Sequence, residues 1–363
     1  MTVPLAPLTQ IPPHLIAVAQ YEQQAAHHLD AAVWAYLQGG AMDEITLQAN
    51  MRDWQDLQLV PRRLQALAGG HTRLERFGQS FASPIWLAPI AYQQLFHPDA
   101  EIATAHAAHV SQTPMLVSSF ATRHFAEIAA HTTAPLWLQL YWQGSRAASL
   151  ALVRQAEAAG YHAVVLTVDA PHMGVRDRER LAGFVLPAQI EAVNLNALPS
   201  YPASSSMFDG LFALAPTWDD VAWLKTQTHL PVLLKGILHP ADAVQAVQLG
   251  VDGVVVSNHG GRVLDTSVSV VDALPVIRQV CPPDYPILVD SGLRRGTDIF
   301  KAIALGASAV LIGRPYIYGL SVAGALGVAH ILKLLQEELV VTMGLCGCRH
   351  LEDIRQAGVL MPS

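Results

Sequence analysis

The feature that most constrains the fold is an alternation of strand and helix that recurs eight times. Eight short apolar runs each stop at a polar residue or a glycine: Ile85–Pro89, Met115–Ser118, Leu136–Tyr141, Ala163–Asp169, Val232–Gly236, Gly253–Ser257, Ile287–Asp290 and Ala309–Gly313. Stretches with helical apolar spacing separate most of them. Parallel strands need crossover connections, and eight such units can close a sheet on itself, so the pattern predicts an α/β protein with a (β/α)8 (TIM) barrel. A doubly wound sheet is the alternative, but its G-x-G-x-x-G fingerprint is absent from the sequence.

The remaining segments are predicted to extend this barrel within one domain of 363 residues. Helical spacing over Leu15–Gly39, followed by mixed short apolar pieces, predicts an N-terminal helical cap over residues 1–80. The barrel is expected at 84–345, and a C-terminal tail at 346–363.

The connection after the fourth strand, about residues 170–217, breaks the rhythm of the repeat. It contains several prolines and the run Ser204-Ser205-Ser206. A compact domain seldom contains so long a loop unless the loop is functional, so we expect it to form a lid over the C-terminal face of the barrel. The alternative is a surface insertion without a role.

Composition and charge limit the class of protein. With 52% apolar and 14% charged residues the chain can bury a large core. A net charge of −7 without a Lys/Arg run argues against nucleic-acid and anionic membrane partners. We expect neither a signal peptide nor a transmembrane helix. The three cysteines lack the spacing of a disulfide framework, so we expect reduced thiols in a cytoplasmic protein. The sequence has neither an H-E-x-x-H motif nor a Cys/His spacing typical of a metal site, so no metal is expected.

Polar side chains gather where the predicted strands stop. The strand ends carry Ala88–Tyr92, Ser118–Phe120, Gln139–Tyr141, Thr167–Asp169, Lys235-Gly236, Ser257–Arg262, Asp290–Gly292 and Gly313-Arg314. One such residue is usually a turn former, but a barrel brings all eight ends to one rim, where barrel enzymes place their active sites. His259 is the candidate base there, because the reference pKa of histidine lies near neutral pH. Gly260 and Gly261 permit the sharp bend that holds it at the rim, and Arg262 adds a permanent cation beside it.

The last two strand ends predict a phosphate site. Arg294 and Arg314 supply positive charge, and three glycines allow backbone N–H groups to approach an anion: Gly292, Gly296 and Gly313. The loops after strands seven and eight are the recurrent phosphate position of this barrel. The alternative is that the two arginines form surface ion pairs with Asp290 and Asp298.

A set of motifs resembles the family of FMN-dependent 2-hydroxy acid oxidases and dehydrogenases. In chain order they are AYLQGGAMDE (35–44), LQLY (138–141), LTVDAPHMG (166–174), LLKGIL (233–238), SNHGGR (257–262), VDSGLRRGTDIFKAIALGA (289–307), LIGRP (311–315) and LCGCRHLEDI (345–354). The resemblance runs nearly end to end. It implies an FMN cofactor, oxidation of an (S)-2-hydroxy acid to the 2-oxo acid with O2 reduced to H2O2, and a homotetramer.

The resemblance also implies roles for individual residues. The flavin ring would contact Pro89, Ile90, Ala91, Ser118, Gln139, Thr167, Lys235 and Ser257. The phosphate would contact Asp290, Ser291, Gly292, Arg294, Gly313 and Arg314. The residues around the substrate would be His259 as base, Asp169 as its carboxylate partner, Arg262 and Arg176 as carboxylate clamps, and Tyr36 and Tyr141 as hydrogen-bond donors.

Departures within these motifs bear on the substrate. The segments DSG at 290–292 and KGILHPADA at 235–243 are closer to the family's lactate oxidases, and APIAYQQLFHPDAE at 88–101 is closer to its hydroxymandelate oxidases. A lactate-like or mandelate-like substrate is therefore expected rather than glycolate. The expected side-chain pocket consists of Tyr92, Phe120, Trp142, Met173 and Phe212.

Two other functions remain open from the sequence. A dehydrogenase that passes electrons to a quinone or cytochrome would share every strand-end residue, but it would normally add a basic amphipathic insertion or a haem domain. A non-catalytic FMN-binding barrel would lack the base, so the joint presence of His259, Asp169 and Arg262 opposes it.

Overall fold

A computed structural model describes residues 3–195, 206–358 and 360–361 of the chain. Eight parallel strands close into a barrel, each paired with the next and the last with the first. They are β1 Ile85–Leu87, β2 Met115–Ser118, β3 Leu136–Tyr141, β4 Ala163–Thr167, β5 Val232–Ile237, β6 Gly253–Val256, β7 Ile287–Val289 and β8 Ala309–Ile312. Each strand begins at the residue predicted from the sequence and ends within two residues of the predicted end. The (β/α)8 prediction is thus confirmed.

Helices surround the barrel and precede it. In chain order they are α1 Val18–His28, α2 Ala31–Gln38, α3 Ile45–Asp56, α4 Ala100–Ser111, α5 Phe125–Ala130, α6 Arg146–Ala158, α7 Asp177–Leu181, α8 Trp218–Gln227, α9 Pro240–Gln248, α10 Val270–Val280, α11 Gly296–Ala304, α12 Arg314–Cys346 and α13 Leu351–Gln356. Short 3-10 turns lie at Gln93–Leu95 and Phe212–Leu214.

The single helical segment predicted over Leu15–Gly39 is two helices. The chain is extended at Leu29, and the Asp30 side chain accepts a hydrogen bond from the Ala32 amide at 2.8 Å. An aspartate in this position caps a helix N-terminus, so α2 starts as a separate helix. The break matters for the site, because α2 carries Tyr36.

The N-terminal end of the barrel is closed by aromatic side chains. A hairpin of Leu74–Arg76 and Gln79–Phe81 places Phe81 4.7 Å from Trp86 and Phe77 5.1 Å from Trp137, measured between ring centroids. The two tryptophans contact each other edge to face at 4.8 Å. Burial of such large rings is a main source of core stability, and it leaves the opposite end of the barrel for a ligand.

Helix α12 is the one described helix that is long and apolar enough to cross a membrane. Most of its apolar stretch is buried inside the protein. Its backbone is non-helical at Ala323 and Gly324, so two helical pieces meet there at a kink. These features are those of a core helix that packs against α1, α4 and α11.

The lid and the tail are only partly as expected. The described part of the lid contains α7 and the 3-10 turn Phe212–Leu214, while residues 196–205, including the serine run, lie outside the described residues. The tail contains α13 and a short strand, Leu360–Met361, that pairs with Gln58–Leu59 of the cap. The three cysteines are buried free thiols. The division into domains stays a prediction.

Candidate active site

A cavity of about 530 Å³ opens at the C-terminal end of the barrel. Its volume lies within the range of pockets that hold small molecules and cofactors, about 300–1,000 Å³. All eight strand ends are expected at this mouth, and residues at or just after the C-terminal end of each of the eight strands line it together with α2 and the lid. The predicted convergence of the strand ends is therefore seen in the structure.

The loop after β6 holds its residues in a left-handed backbone conformation. His259, Gly260 and Gly261 have φ angles of 57°, 65° and 73° in succession. A Cβ on Gly261 would lie 2.6 Å from the Leu47 amide nitrogen, so the close approach of α3 requires glycine. The Ser257 hydroxyl accepts a hydrogen bond from the His259 amide at 3.0 Å. This strained turn aims the imidazole at the cavity.

His259 lies between a carboxylate and a phenol. Its Nδ1 is 3.0 Å from Asp169 Oδ1, and its Nε2 is 3.2 Å from the Tyr141 hydroxyl. An ionised carboxylate only accepts hydrogen bonds, so Nδ1 carries the proton and the unprotonated Nε2 accepts from the Tyr141 hydroxyl. Asp169 Oδ2 is buried and, among the described residues, has no hydrogen-bond partner.

Burial and neighbouring charges set the protonation of this pair. Burial lowers the pKa of His259, the Asp169 charge raises it, and the net result lies below the ordinary histidine value. Burial raises the pKa of Asp169, but the charges of His259 and Lys235 outweigh it and leave that pKa below its usual range. The imidazole is therefore a neutral base beside an ionised carboxylate near neutral pH.

Lys235 provides a buried cation on the floor of the cavity. Its Nζ lies 3.1 Å from Asp290 Oδ2 and donates to Ser257 Oγ at 2.8 Å. Burial lowers the pKa of Lys235, but the charges of Asp290 and Asp169 more than compensate, so its pKa is raised and the amine stays protonated. Gly236 has a φ of 105°, and a Cβ there would lie 2.4 Å from the Asp169 Cβ, so glycine is required where β5 passes this carboxylate.

Two arginines are held by the carbonyl end of α2. Arg262 Nη1 donates to the backbone carbonyl oxygens of Tyr36 and Gly39, at 2.8 and 2.6 Å. Arg314 donates from Nε to the Leu37 oxygen at 2.9 Å and from Nη2 to the same Gly39 oxygen at 3.1 Å. The last carbonyls of a helix lack partners within the helix and carry partial negative charge. They therefore hold both guanidinium groups in the cavity wall, and no carboxylate of the described residues forms an ion pair with either.

These cations are poorly compensated. Burial, then the charges of Arg176 and Arg314, lower the pKa of Arg262 to about 9. Burial likewise lowers the pKa of Arg314 to about 10. Arg176 is also buried, with Nη1 3.3 Å from Glu179 and Nε bonded to the Arg262 oxygen. Positive charge in such excess favours an anionic ligand.

The phosphate end of the cavity fits the expected group. Arg294 lines the cavity, and its buried Nε has no hydrogen-bond partner within the described residues. Ser291 and Gly292 have φ angles of 74° and 84°, and the Gly292 Cα lies so close to α3 that a Cβ would fall 2.0 Å from the Asn50 oxygen. An anion at this turn would satisfy the orphaned donor, so the donor set fits the phosphate of FMN.

The alternative interpretation of these arginines as surface ion pairs is wrong. Asp290 pairs with Lys235, and Asp298 accepts hydrogen bonds from the amides of Arg294 and Arg295, where it caps α11. Gly296 does not belong to the phosphate site either. Its amide donates to Glu338, and a Cβ there would clash with α12, so this glycine serves helix packing.

Most of the predicted site residues line the cavity. They are Tyr36, Pro89, Ile90, Ala91, Gln139, Tyr141, Thr167, Arg176, Lys235, His259, Arg262, Asp290, Ser291, Gly292, Arg294, Gly313 and Arg314. Ser118, Asp169 and Ser257 do not line it; they lie behind it and support residues that do. The Ser118 hydroxyl donates to Gln139 Oε1 at 3.0 Å, and the Gln139 amide donates to Thr167.

The side-chain pocket has both aromatic and aliphatic lining residues. Tyr92 stacks on Phe120 at 5.7 Å, and Phe120 contacts Tyr141 at 4.9 Å between ring centroids. Trp142 and Met173 also line the cavity as expected. Phe212 does not, because it points towards Phe208 and His172; the lid contributes Leu211 and Leu214 instead.

Sequence reasoning missed two aromatic residues around Tyr36. Phe184 of the lid stacks on the Tyr36 ring at 4.6 Å, and Phe96 lies parallel to it at 6.4 Å. The Arg262 guanidinium lies 5.2 Å from the same ring centroid. No sequence signal identifies these pairs, since they join segments far apart in the chain.

Comparison with known proteins gives a consistent result over almost the whole chain. A family model described as FMN-dependent dehydrogenase matches residues 25–360. An L-lactate oxidase of Alicycliphilus denitrificans is 44% identical over 356 residues, covering 96% of this chain and 98% of the relative. A 4-hydroxymandelate oxidase of Amycolatopsis orientalis is 41% identical, covering 94% and 97%. The crystal structure of a mandelate oxidase with (S)-2-phenylpropionate matches with a TM-score of 0.88 at 40% identity, covering 95% and 98%.

Proposed function

The chain belongs to the family of FMN-dependent dehydrogenases, and on that premise we propose that it oxidises an (S)-2-hydroxy acid to the 2-oxo acid and reduces O2 to H2O2. The observation that supports this most directly is the neutral imidazole of His259, held between Asp169 and Tyr141 at a cavity with an excess of buried cations. A base beside guanidinium groups suits an anionic substrate that must lose a proton.

The carboxylate of the substrate binds to the arginines. A planar guanidinium matches a carboxylate through two parallel hydrogen bonds, and Arg262 and Arg176 both line the cavity. Burial and the cationic neighbours lower the pKa of Arg262 to about 9, so an anion beside it would offset an unfavourable concentration of positive charge. Tyr36 packs against Arg262 and lines the same cavity.

His259 removes the proton. Its Nε2 lone pair faces the cavity beside the Tyr141 hydroxyl, while Nδ1–H donates to Asp169. As the imidazole takes a proton, the Asp169 carboxylate stabilises the positive charge and keeps the ring in place. Both the removal of the hydroxyl proton during hydride transfer and the removal of the α-proton in a carbanion route fit this geometry.

FMN, when bound, would supply the acceptor for two electrons, with O2 as their final acceptor. Lys235 is the residue whose fixed positive charge lies where the ring is expected, next to Gln139 and Thr167. Arg294 and Arg314 would hold the phosphate, together with the turn at Ser291 and Gly292. The protein's part is to orient the two reactants, exclude water under the lid and hold the base.

The substrate is proposed to carry a lactate-like or mandelate-like side chain. The support is the mixed character of the pocket, which is lined by the aromatic residues Tyr92, Phe120 and Trp142 and by the aliphatic residues Met173 and Leu214. Such apolar pockets discriminate weakly, because one methylene contributes only about 1–3 kcal/mol, so overlapping activities are expected.

We further propose a homotetramer located in the cytoplasm. Val340, Val341 and Leu345 of α12 are half exposed or more, which suits a surface that another subunit covers. The buried free thiols suit a reducing compartment. Light scattering of the purified protein measures the oligomeric state.

The experiment that tests the proposed function is anaerobic mixing of the FMN-loaded protein with (S)-lactate and (S)-mandelate, followed by admission of air. Bleaching of the flavin absorbance and then formation of peroxide are expected. Bleaching without peroxide would instead assign a dehydrogenase that uses a quinone or a cytochrome. The absence of bleaching with every 2-hydroxy acid would refute the proposal.

A further inference from the structure

We propose that Glu101, a buried carboxylate outside the cavity, is a positioning residue that sets the aromatic wall and thereby the preference for aryl over alkyl side chains. This inference rests on the proposed function. It concerns a residue of α4 that does not touch the substrate, because Glu101 is absent from the cavity lining and only 1% exposed.

Glu101 joins two loops that follow neighbouring strands. Its Oε1 accepts hydrogen bonds from the amides of Gln93, at 3.3 Å, and Thr122, at 3.0 Å. Its Oε2 accepts from the Thr122 hydroxyl at 2.6 Å. No lysine, arginine or histidine among the described residues forms an ion pair with it. A buried carboxylate with three donors and no cation is held by those donors, so it also holds them.

The two loops carry the aromatic wall. Tyr92 is adjacent to Gln93, and Phe120 lies two residues before Thr122. The Tyr92 amide donates to the Phe120 oxygen at 3.0 Å, and the two rings stack at 5.7 Å with 23° between their planes. Tyr92 has a φ of 53°, a left-handed conformation that persists in a non-glycine residue only when its surroundings impose it. The bond from the amide of Gln93, the next residue, to Glu101 is one such constraint, together with the bond from the Tyr92 amide.

The network extends to the floor of the site. The Gln93 side chain accepts from Thr104 at 2.6 Å and donates to the Tyr316 hydroxyl at 3.2 Å. That hydroxyl donates to the Ala88 oxygen at the end of β1. The turn that carries Tyr92 is thus held from both its amide and its side chain, and every link passes through buried groups.

Phe120 connects the wall to the chemistry. Its ring lies 4.9 Å from Tyr141, which is hydrogen-bonded to His259. A phenyl side chain of a substrate would contact Tyr92 and Phe120 directly, whereas a methyl group would contact little of the wall. Loss of the Glu101 hydrogen bonds should therefore weaken the binding of aryl ligands selectively. It should slow turnover of both substrate types to a smaller extent.

The test compares Glu101→Gln with the wild-type holoenzyme. Calorimetry measures the dissociation constants of phenylacetate and propionate, two carboxylates that cannot be oxidised at a hydroxyl group. We expect the phenylacetate constant to rise roughly 3–10-fold, the usual worth of an aromatic contact, and the propionate constant to stay within twofold. With substrates, KM for (S)-mandelate should rise by the same factor, while kcat falls to a similar extent for mandelate and lactate.

The control variant is Glu157→Gln. Glu157 also accepts a hydrogen bond from a threonine, Thr228, but the pair lies before β5 at the opposite end of the barrel. It should lower the melting temperature without changing the ratio of the two dissociation constants. Thr122→Val, a milder change, should shift the ratio in the direction of Glu101→Gln, and Thr122→Ser should restore the wild-type ratio.

An unchanged ratio in both Glu101→Gln and Thr122→Val, with only a lower melting temperature, would overturn the positioning role. So would a wild-type protein that binds phenylacetate no better than propionate. Because binding needs no turnover, these outcomes are separable from failure of the proposed function, which would appear as wild-type flavin that no 2-hydroxy acid bleaches.

Discussion

The base side and the lid side of the cavity are built on opposite principles. On the base side, His259, Asp169 and Lys235 each come from or follow a strand end, and each is fixed by hydrogen bonds of 2.8 to 3.2 Å. On the lid side, Leu211, Leu214 and Met173 contribute apolar side chains, and the described part of this segment contains only α7 and a 3-10 turn. The difference teaches that the chemistry depends on directional bonds, whereas the choice of side chain depends on packing that tolerates change.

The most severe way to break the base side is His259→Ala. FMN binding should persist, because His259 is not in the phosphate turn, while the rate of anaerobic flavin bleaching falls roughly 10⁴-fold, the upper range for a positioned proton acceptor. Stopped-flow absorbance measures the rate, and the visible spectrum checks cofactor content. Reduction at a near wild-type rate would show that another group is the base.

Asp169→Asn sharpens the role of the second residue. The rate should fall roughly 10³-fold, because the imidazolium loses its counter-charge and its orienting acceptor. The pH profile should also move. The Asp169 charge raises the pKa of His259, so its removal lowers that pKa further and the acid limb of kcat/KM shifts to lower pH. The exposed lid variant Asp177→Asn is the control, and a limb that stays in place would contradict the assignment.

Arg262→Met tests the arginine clamp for the substrate carboxylate, which borders both the base side and the lid side of the cavity. Loss of a buried partner of an anionic group should raise the substrate dissociation constant roughly 10²-fold. The 2-oxo acid product carries the same carboxylate, so titration of the oxidised protein with it, followed by the flavin spectrum, measures the corresponding loss of affinity. Arg262→Lys keeps the charge but loses the fork, so an intermediate value is expected; equal affinity in Met and wild type would remove Arg262 from the clamp.

The smallest effect is expected on the lid side. Leu214→Ala removes pocket surface without touching a hydrogen bond, so kcat/KM should change roughly tenfold or less, and differently for lactate and mandelate. Steady-state peroxide formation with both acids measures the change. A loss as large as that of Asp169→Asn would mean that the lid takes part in the chemistry, and the contrast between the two sides would disappear.

The sequence predicts the base side well for a physical reason. The backbone of a barrel determines where a strand end lies, so Lys235, His259 and Asp290 are placed once their strands are recognised. Contacts between distant segments are not determined in this way. Three features depend on packing that no local pattern encodes. Phe184 stacks on Tyr36, Leu211 and Leu214 line the cavity where Phe212 was expected, and Ser118 lies behind the cavity and supports Gln139. The break at Asp30 was readable as a helix cap, but the continuous apolar spacing concealed it.

The Gly39 carbonyl, which accepts from both Arg262 and Arg314, has a consequence for how this protein can evolve. This one backbone oxygen holds both Arg262, the proposed partner of the substrate carboxylate, and Arg314, the proposed partner of the FMN phosphate. A shift of the last turn of α2 would therefore disturb both binding sites at once. New specificities are therefore accessible by exchanging residues of the lid. A change at Gly39, in contrast, would weaken the binding of the yellow flavin and of the acid substrate together.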